Sequence, residues 1–133
     1  MSTAKAWILA AGLFLALAGA ASAQSVDPGS RRQELKRAPL TGTNMEVVIS
    51  VIEYKPGETL DRHIHHGEEA FYVLQAATLQ TPDGKELKLP AGAAAINARD
   101  VPHGGAKIVG DAPFKYIAVH IVDKSAPLYD APK

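Results

Sequence analysis

His63-Ile64-His65-His66-Gly67-Glu68-Glu69 sets two imidazoles two residues apart and a carboxylate four residues after the second. On a β-strand, residues i and i+2 project from one face, so His63 and His65 can reach a single ion while Ile64 turns the other way. A third imidazole, His103, stands downstream in Asp100-Val101-Pro102-His103-Gly104. Three neutral nitrogens and one carboxylate oxygen suit a divalent first-row transition metal (Zn, Cu, Mn, Fe or Ni) better than Mg²⁺ or Ca²⁺. The competing reading, a solvated His-rich loop, requires the spacing, the carboxylate and His103 to coincide by accident. Strand parity favours Glu69 over its neighbour Glu68 as the carboxylate, with Glu68 and His66 facing water.

Around this segment the chain reads as short β runs divided by turn signals, with no amphipathic helix after the N-terminal stretch. Met45 to Tyr54 is apolar on both faces, which implies cover on both sides, by the core and by another subunit. Leu60 to His65 reads as a second strand and Ala70 to Gln75 as a third, continued by Thr78 to Gln80. Thr81-Pro82-Asp83-Gly84-Lys85 is the clearest hairpin turn, since Pro presets the bend and Gly supplies positive φ. Glu86 to Leu89, Ala93 to Ile96, His103 to Val109 and Phe114 to Val122 complete the set. Roughly eight short strands in one small domain make an all-β sandwich or barrel. Phe71 and Val73 follow Glu69 inward, while Ala70, Tyr72 and Leu74 point outward. That second apolar face needs cover from a partner subunit or the N-terminal arm, so a homodimer is expected.

The N-terminus sets the compartment. One Lys precedes an apolar or small stretch from Ala6 to Ala20, and Ala21-Ser22-Ala23 supplies a small-x-small cleavage site. This reads as a secretory signal peptide over residues 1–23, which makes the protein periplasmic or secreted, with no stable membrane anchor after cleavage. Residues 24–44 read as an N-terminal arm, irregular from Asp27 to Leu40. Residues 45–123 read as the barrel and 124–133 as an extended surface strap. The mature part, about 110 residues, is enough for one hydrophobic core. The absence of Cys excludes disulfides, thiolate ligands and a cysteine nucleophile. Acidic and basic residues balance at 14 each, and no basic stripe appears, so nucleic acid is not an expected partner.

These residues carry a family resemblance: the chain resembles a small single-domain cupin. The first cupin motif is a glycine, five residues, HxH, three or four residues, a glutamate, six residues and a glycine. Gly57, His63, His65 and Glu69 fall in register, with Ala76 in place of the closing glycine. The second motif is a glycine, five residues, PxG, two residues, a histidine, three residues and an asparagine. Gly92 and His103 fit it, whereas Ala98-Arg99-Asp100 stands where PxG is expected and Lys107 where Asn is expected. The resemblance covers Met45 to Val122. It implies a jelly-roll β-barrel, or double-stranded β-helix, with one metal in its mouth bound by His63, His65, Glu69 and His103. The departures fall on turn residues and bear on how loops frame the pocket.

Two further residues are candidates for work at the site. His120 shares a strand face with Tyr116, Ala118 and Val122 and reads either as a proton shuttle or ligand-supporting partner, or as a satisfied buried histidine. Arg99 reads either as an anion-binding residue at the mouth or as a solvated loop arginine. No phosphate loop, nucleophile elbow or Ser/His/Asp arrangement appears. The leading expectation is a metal-dependent enzyme on a small organic molecule, of dioxygenase, decarboxylase, isomerase or lyase type, since the resemblance implies all of these. The alternative is a non-catalytic metal- or ligand-binding module.

Overall fold

Two long strands run through the middle of the fold. They are β2, Met45–Tyr54, and β9, Phe114–Asp123, and they pair antiparallel over their whole length in the computed structural model, which describes residues 31–133. The expected signal peptide and the first residues of the arm lie outside the described residues. β1 (Arg32–Pro39) flanks β2, and β4 (Gly67–Gln75) flanks β9, with β7 (Ala94–Asn97) beyond it. The second sheet holds β3 (Thr59–Leu60), β8 (Ala106–Val109), β5 (Ala77–Gln80) and β6 (Glu86–Leu89), in that order. All pairings are antiparallel. The two sheets face each other as a jelly roll, and no described residue is helical.

Period-2 alternation decides what goes inside. Along β9, Phe114, Tyr116, Ala118, His120 and Val122 are buried and their neighbours are not. Along β4, Glu69 and Val73 are buried while Glu68, Ala70, Tyr72 and Leu74 are exposed. The register lines these inward residues into rungs. Val48, His120, Glu69 and Asn97 form one rung across four strands. Ser50, Ala118, Phe71 and Ala95 form the next, then Ile52, Tyr116 and Val73. Ile108 and Leu79 from the second sheet close over Ile52, Val73, Phe114 and Tyr116 to make the dry core. The interior is thus polar at one end and apolar at the other.

Several local expectations need correction. The segment expected as an irregular arm is a strand from Arg32 to Pro39, with a bulge between Glu34 and Lys36. Its charges hid the strand because several of them pair with one another and with β2. The Arg32 guanidinium donates to the Ser50 hydroxyl at 3.1 Å, and Arg37 meets both Glu34 and Glu46. As an edge strand beside β2, this segment sits at the opposite margin from β4 and β7, so its described part does not cover Tyr72. The second expected strand, Leu60 to His65, is ladder only at Thr59–Leu60; beyond that, His63 and Ile64 make isolated bridges to His103 and Asp130. The expected strand from His103 starts at Ala106, because Gly104 and Gly105 adopt φ of 80° and 84° and break the extended run. Thr78 to Gln80 does not prolong β4; the chain passes at Ala76 into the other sheet as β5.

Candidate metal centre

Backbone pairing brings the candidate ligands together. His63 and His103 exchange backbone hydrogen bonds, N to O at 2.9 Å and 3.0 Å, so residues forty positions apart sit directly opposite each other. Alternation then puts His63 and His65 on one side, with Ile64 buried on the other. β4 delivers Glu69 from the next segment. Gly67 lets β4 start close against β9, since a Cβ there would collide with the backbone of Ile121 and Val122. His63, His65, Glu69 and His103 each offer one ligand atom, all within 4.8 Å of one another. This is the set the sequence nominates, and Glu69 rather than the exposed Glu68 belongs to it.

Each of the three imidazoles is oriented by a carbonyl. His63 Nδ1 donates to Asp61 O at 2.7 Å, His65 Nδ1 to Leu128 O at 2.5 Å, and His103 Nδ1 to Val101 O at 2.9 Å. A carbonyl only accepts, so each Nδ1 carries the proton and each neutral ring turns an Nε2 lone pair inward. Those lone pairs face one another and a carboxylate. His63 Nε2 lies 3.2 Å from His65 Nε2, and Glu69 Oε2 lies 3.3 Å from His65 Nε2 and 3.2 Å from His103 Nε2. Acceptors this close repel unless a cation sits among them. A proton on His103 or on His65 would relieve some of these contacts, whereas one cation among the four donor atoms, all within 4.8 Å of one another, relieves them together. The donor set therefore fits a metal ion.

Glu69 is built to remain a carboxylate. Burial pushes its pKa up, but donation from His103 and His65 in their protonated forms, and from the Asn97 amide, outweighs this and holds it well below the usual range. Asn97 Nδ2 donates to Oε2 at 2.8 Å from the neighbouring strand. Burial likewise lowers the His103 pKa, yet the Glu69 contact wins and the net shift is upward. His120 completes the rung. It is fully buried, its Nε2 lies 3.5 Å from Glu69 Oε1, and neither ring nitrogen has a hydrogen-bond partner among the described residues. Burial drives its pKa down to about 4, so it is a neutral imidazole against the outer oxygen of the candidate ligand. It is therefore not the satisfied buried histidine of the bland reading.

The C-terminal strap is part of the site, which sequence reading did not anticipate. Besides the Leu128 carbonyl, the strap supplies the Tyr129 ring, which packs on His63 and His65 with centroids 5.1 Å and 4.9 Å away. Asp130 pairs with Ile64 through backbone hydrogen bonds in both directions. His66, which lies outside the candidate group, joins Asp100 Oδ1 at 2.8 Å and Asp130 Oδ2 at 3.2 Å. Asp100, standing at the family's glycine position, adopts φ of 57° and keeps the turn that glycine would make. Arg99 pairs with Asp100 in solvent and does not line the cavity beside the site, which supports the solvated-loop reading. Asn97 carried a weak signal, since its parity with Ala95 puts it inward. The strap's carbonyl carried none, because any residue supplies one.

Comparison with known proteins bears on the fold and the family. The cupin-domain family profile matches residues 50–120. An uncharacterized conserved protein with a double-stranded β-helix domain from Klebsiella pneumoniae superposes with a TM-score of 0.59 at 24% identity, covering 82% of this chain and 90% of that one. KdgF from Halomonas sp. gives 0.54 at 20% identity, over 77% of this chain and 88% of its own. DMSP lyase DddQ from Ruegeria pomeroyi gives 0.51 at 20% identity over 65% of this chain, which spans only 44% of that enzyme. No match was found among curated proteins. With more than half of its length matched by the profile and a double-stranded β-helix as its fold, the chain belongs to the cupin family.

Proposed function

We propose that this cupin is an exported, metal-dependent enzyme acting on a small organic molecule. Its single divalent transition metal ion is held by Nε2 of His63, His65 and His103 and by Oε2 of Glu69. The observation that carries this reading is the set of inward lone pairs, with all three Nδ1–H groups committed to carbonyls. On an ion that takes five or six ligands, four protein donors would leave room for an exogenous oxygen, and the ion would polarise what binds there. The protein's own residues orient the donors, keep Glu69 ionised and cover one side with Tyr129. A cavity reaches Glu69 and His103 from the barrel interior, which favours an enzyme over a purely structural site. The lyase among similar structures supports a small organic substrate as a class only.

Metal analysis of protein isolated from its native compartment tests the proposal. The expected result is about one ion per chain, absent in His63→Ala/His65→Ala. Protein that stays metal-free when offered Zn²⁺, Cu²⁺, Mn²⁺, Fe²⁺ and Ni²⁺ overturns it. A loaded protein that turns over no small carbonyl, enol or hydroxy compound favours the non-catalytic module. The homodimer is part of the same reading and is supported by the outer face of the five-stranded sheet. Tyr72, Ile96 and Ile121 lie there 51%, 71% and 38% exposed, on neighbouring strands. Sedimentation showing only monomer at high concentration removes it. N-terminal sequencing of exported material checks the expected start at Gln24.

A further inference from the structure

The cavity beside the ligands is apolar to a degree that defines what can enter it. It measures about 230 Å³ and runs from Glu69 and His103 between the two sheets. This lies below the roughly 300–1,000 Å³ typical of drug-sized ligands. Leu79, Leu87 and Leu89 from the second sheet and Phe71 and Phe114 from the first line its wall. None of the residues lining it is Lys or Arg, and its one charged group outside the histidines is Glu69.

The polar groups in the wall are mostly engaged already. Asn97 is committed to Glu69, and the Thr81 hydroxyl is held within its own turn by Lys85 O. Tyr116 differs. It is buried beside Phe114, with stacked ring centroids 4.7 Å apart, and its hydroxyl makes no hydrogen bond among the described residues. Burial pushes its pKa up, so the phenol stays protonated and can donate. The hydroxyl is not sealed from solvent, and on a residue that lines the cavity it can donate to a ligand oxygen in place of water.

We propose that the cavity selects a small, uncharged, mainly apolar molecule of about one ring, carrying a hydroxyl or carbonyl oxygen within reach of the Tyr116 phenol. An unpaired charge on the apolar body has no counter-charge in this wall and must give up its hydration to enter. A dianionic substrate is disfavoured on the same ground, because the ion's own charge can meet only the group at the metal end and the second charge is left against the apolar wall. This inference rests on the metal-enzyme reading, since the ligand's polar end shares the space in front of Glu69 and His103.

The test is an NMR titration of metal-loaded protein with p-cresol and, separately, with succinate, followed at the methyl groups of Leu79, Leu87 and Leu89. Saturable shifts with p-cresol and none with succinate are expected. Leu87 is 48% exposed at the cavity wall, so Leu87→Trp can fill the space without disturbing the core. That variant should weaken p-cresol at least about tenfold. Tyr116→Phe should weaken p-cresol but leave toluene binding unchanged, which separates the donor from the packing. Tighter binding of succinate, no shift with p-cresol, or undiminished affinity in Leu87→Trp overturns the proposal. The same titration on His63→Ala/His65→Ala keeps the two readings apart. If the wild type takes no metal yet p-cresol shifts these methyls, the metal reading alone fails. If the wild type takes metal and p-cresol does not bind, the cavity proposal alone fails.

Discussion

The two ends of the barrel interior are built by the same strands and obey opposite rules. At the dry end, Ile52, Val73, Ile108 and Phe114 fill space, and any apolar side chain of similar volume would serve. At the polar end, Glu69 and His120 occupy the same inward rows of β4 and β9, yet Glu69 is held by Asn97 and the histidines around it, so residue type matters there as well as volume. The difference lies in what tolerates substitution. The dry end is specified by pattern and volume, the polar end by donor and acceptor bookkeeping that extends into loops and the C-terminal strap.

The sharpest way to break this contrast is to remove ligands. His63→Ala/His65→Ala should abolish stoichiometric metal binding in calorimetric titration while far-ultraviolet circular dichroism stays β-rich. In the wild type, chelation should lower the melting temperature, because an ion bound only by the native state stabilises it by mass action. An unchanged melting temperature on chelating a verified loaded sample would show that the polar end contributes no metal-linked stability. The converse change at the dry end is Ile108→Ala. Ile108 is fully buried, and its truncation should cost roughly 2–5 kcal/mol in denaturant unfolding while leaving one ion per chain. If Ile108→Ala abolished metal binding as the ligand variants do, the two ends would not be separable.

A pH experiment on metal-free protein gives a smaller effect. His120 is neutral in the fold with a pKa near 4, below the ordinary value of 6.5. Between these values the unfolded chain takes up a proton that the folded chain refuses, so this group favours unfolding as pH falls. Its contribution is fully present above pH 6.5 and is lost as pH drops through 4. Stability of the metal-free protein should therefore decline across that window, and His120→Leu should flatten the decline. An unaltered slope in the variant would assign the dependence to the other histidines.

How legible each end was in the sequence follows from the same contrast. Alternation in Ala70 to Gln75 and Phe114 to Val122 is a side-chain pattern, and the inward faces follow it along β9 and through Val73 of β4, although β4 starts earlier, at Gly67, and a register shift after Val73 leaves Gln75 exposed. His63, His65, Glu69 and His103 were legible because ligand chemistry restricts residue type and because a strand fixes spacing. The orienting groups were not legible. Asp61, Val101 and Leu128 contribute carbonyls, which every residue has, and their positions come from tertiary bridges such as Ile64 to Asp130. β1 was missed for a different reason. Its inward positions include Arg32 and Glu34, whose pairing with each other takes the place of apolar alternation.

The smallest expected effect is the most diagnostic of how far the polar end extends. His66 stands next to the candidate ligand His65 yet lies outside the candidate metal group and bridges Asp100 and Asp130. Its pKa is raised by the bonds to Asp130 and then Asp100, so protonation strengthens the link between the strap and the loop before His103. His66→Ala should leave metal stoichiometry intact, because no ligand atom is lost. It should loosen the strap instead, and the amides of Ile64 and Asp130, which hydrogen-bond each other's carbonyls, should exchange faster with deuterium. A weaker strap holds the Leu128 carbonyl less firmly against His65 Nδ1, so metal affinity should fall modestly without a change in stoichiometry. Loss of the ion in His66→Ala would make His66 a ligand and sink the assignment of the strap. Unchanged exchange at Ile64 and Asp130 would show that backbone pairing alone holds the strap, confining the polar end's requirements to the four ligands and their carbonyls.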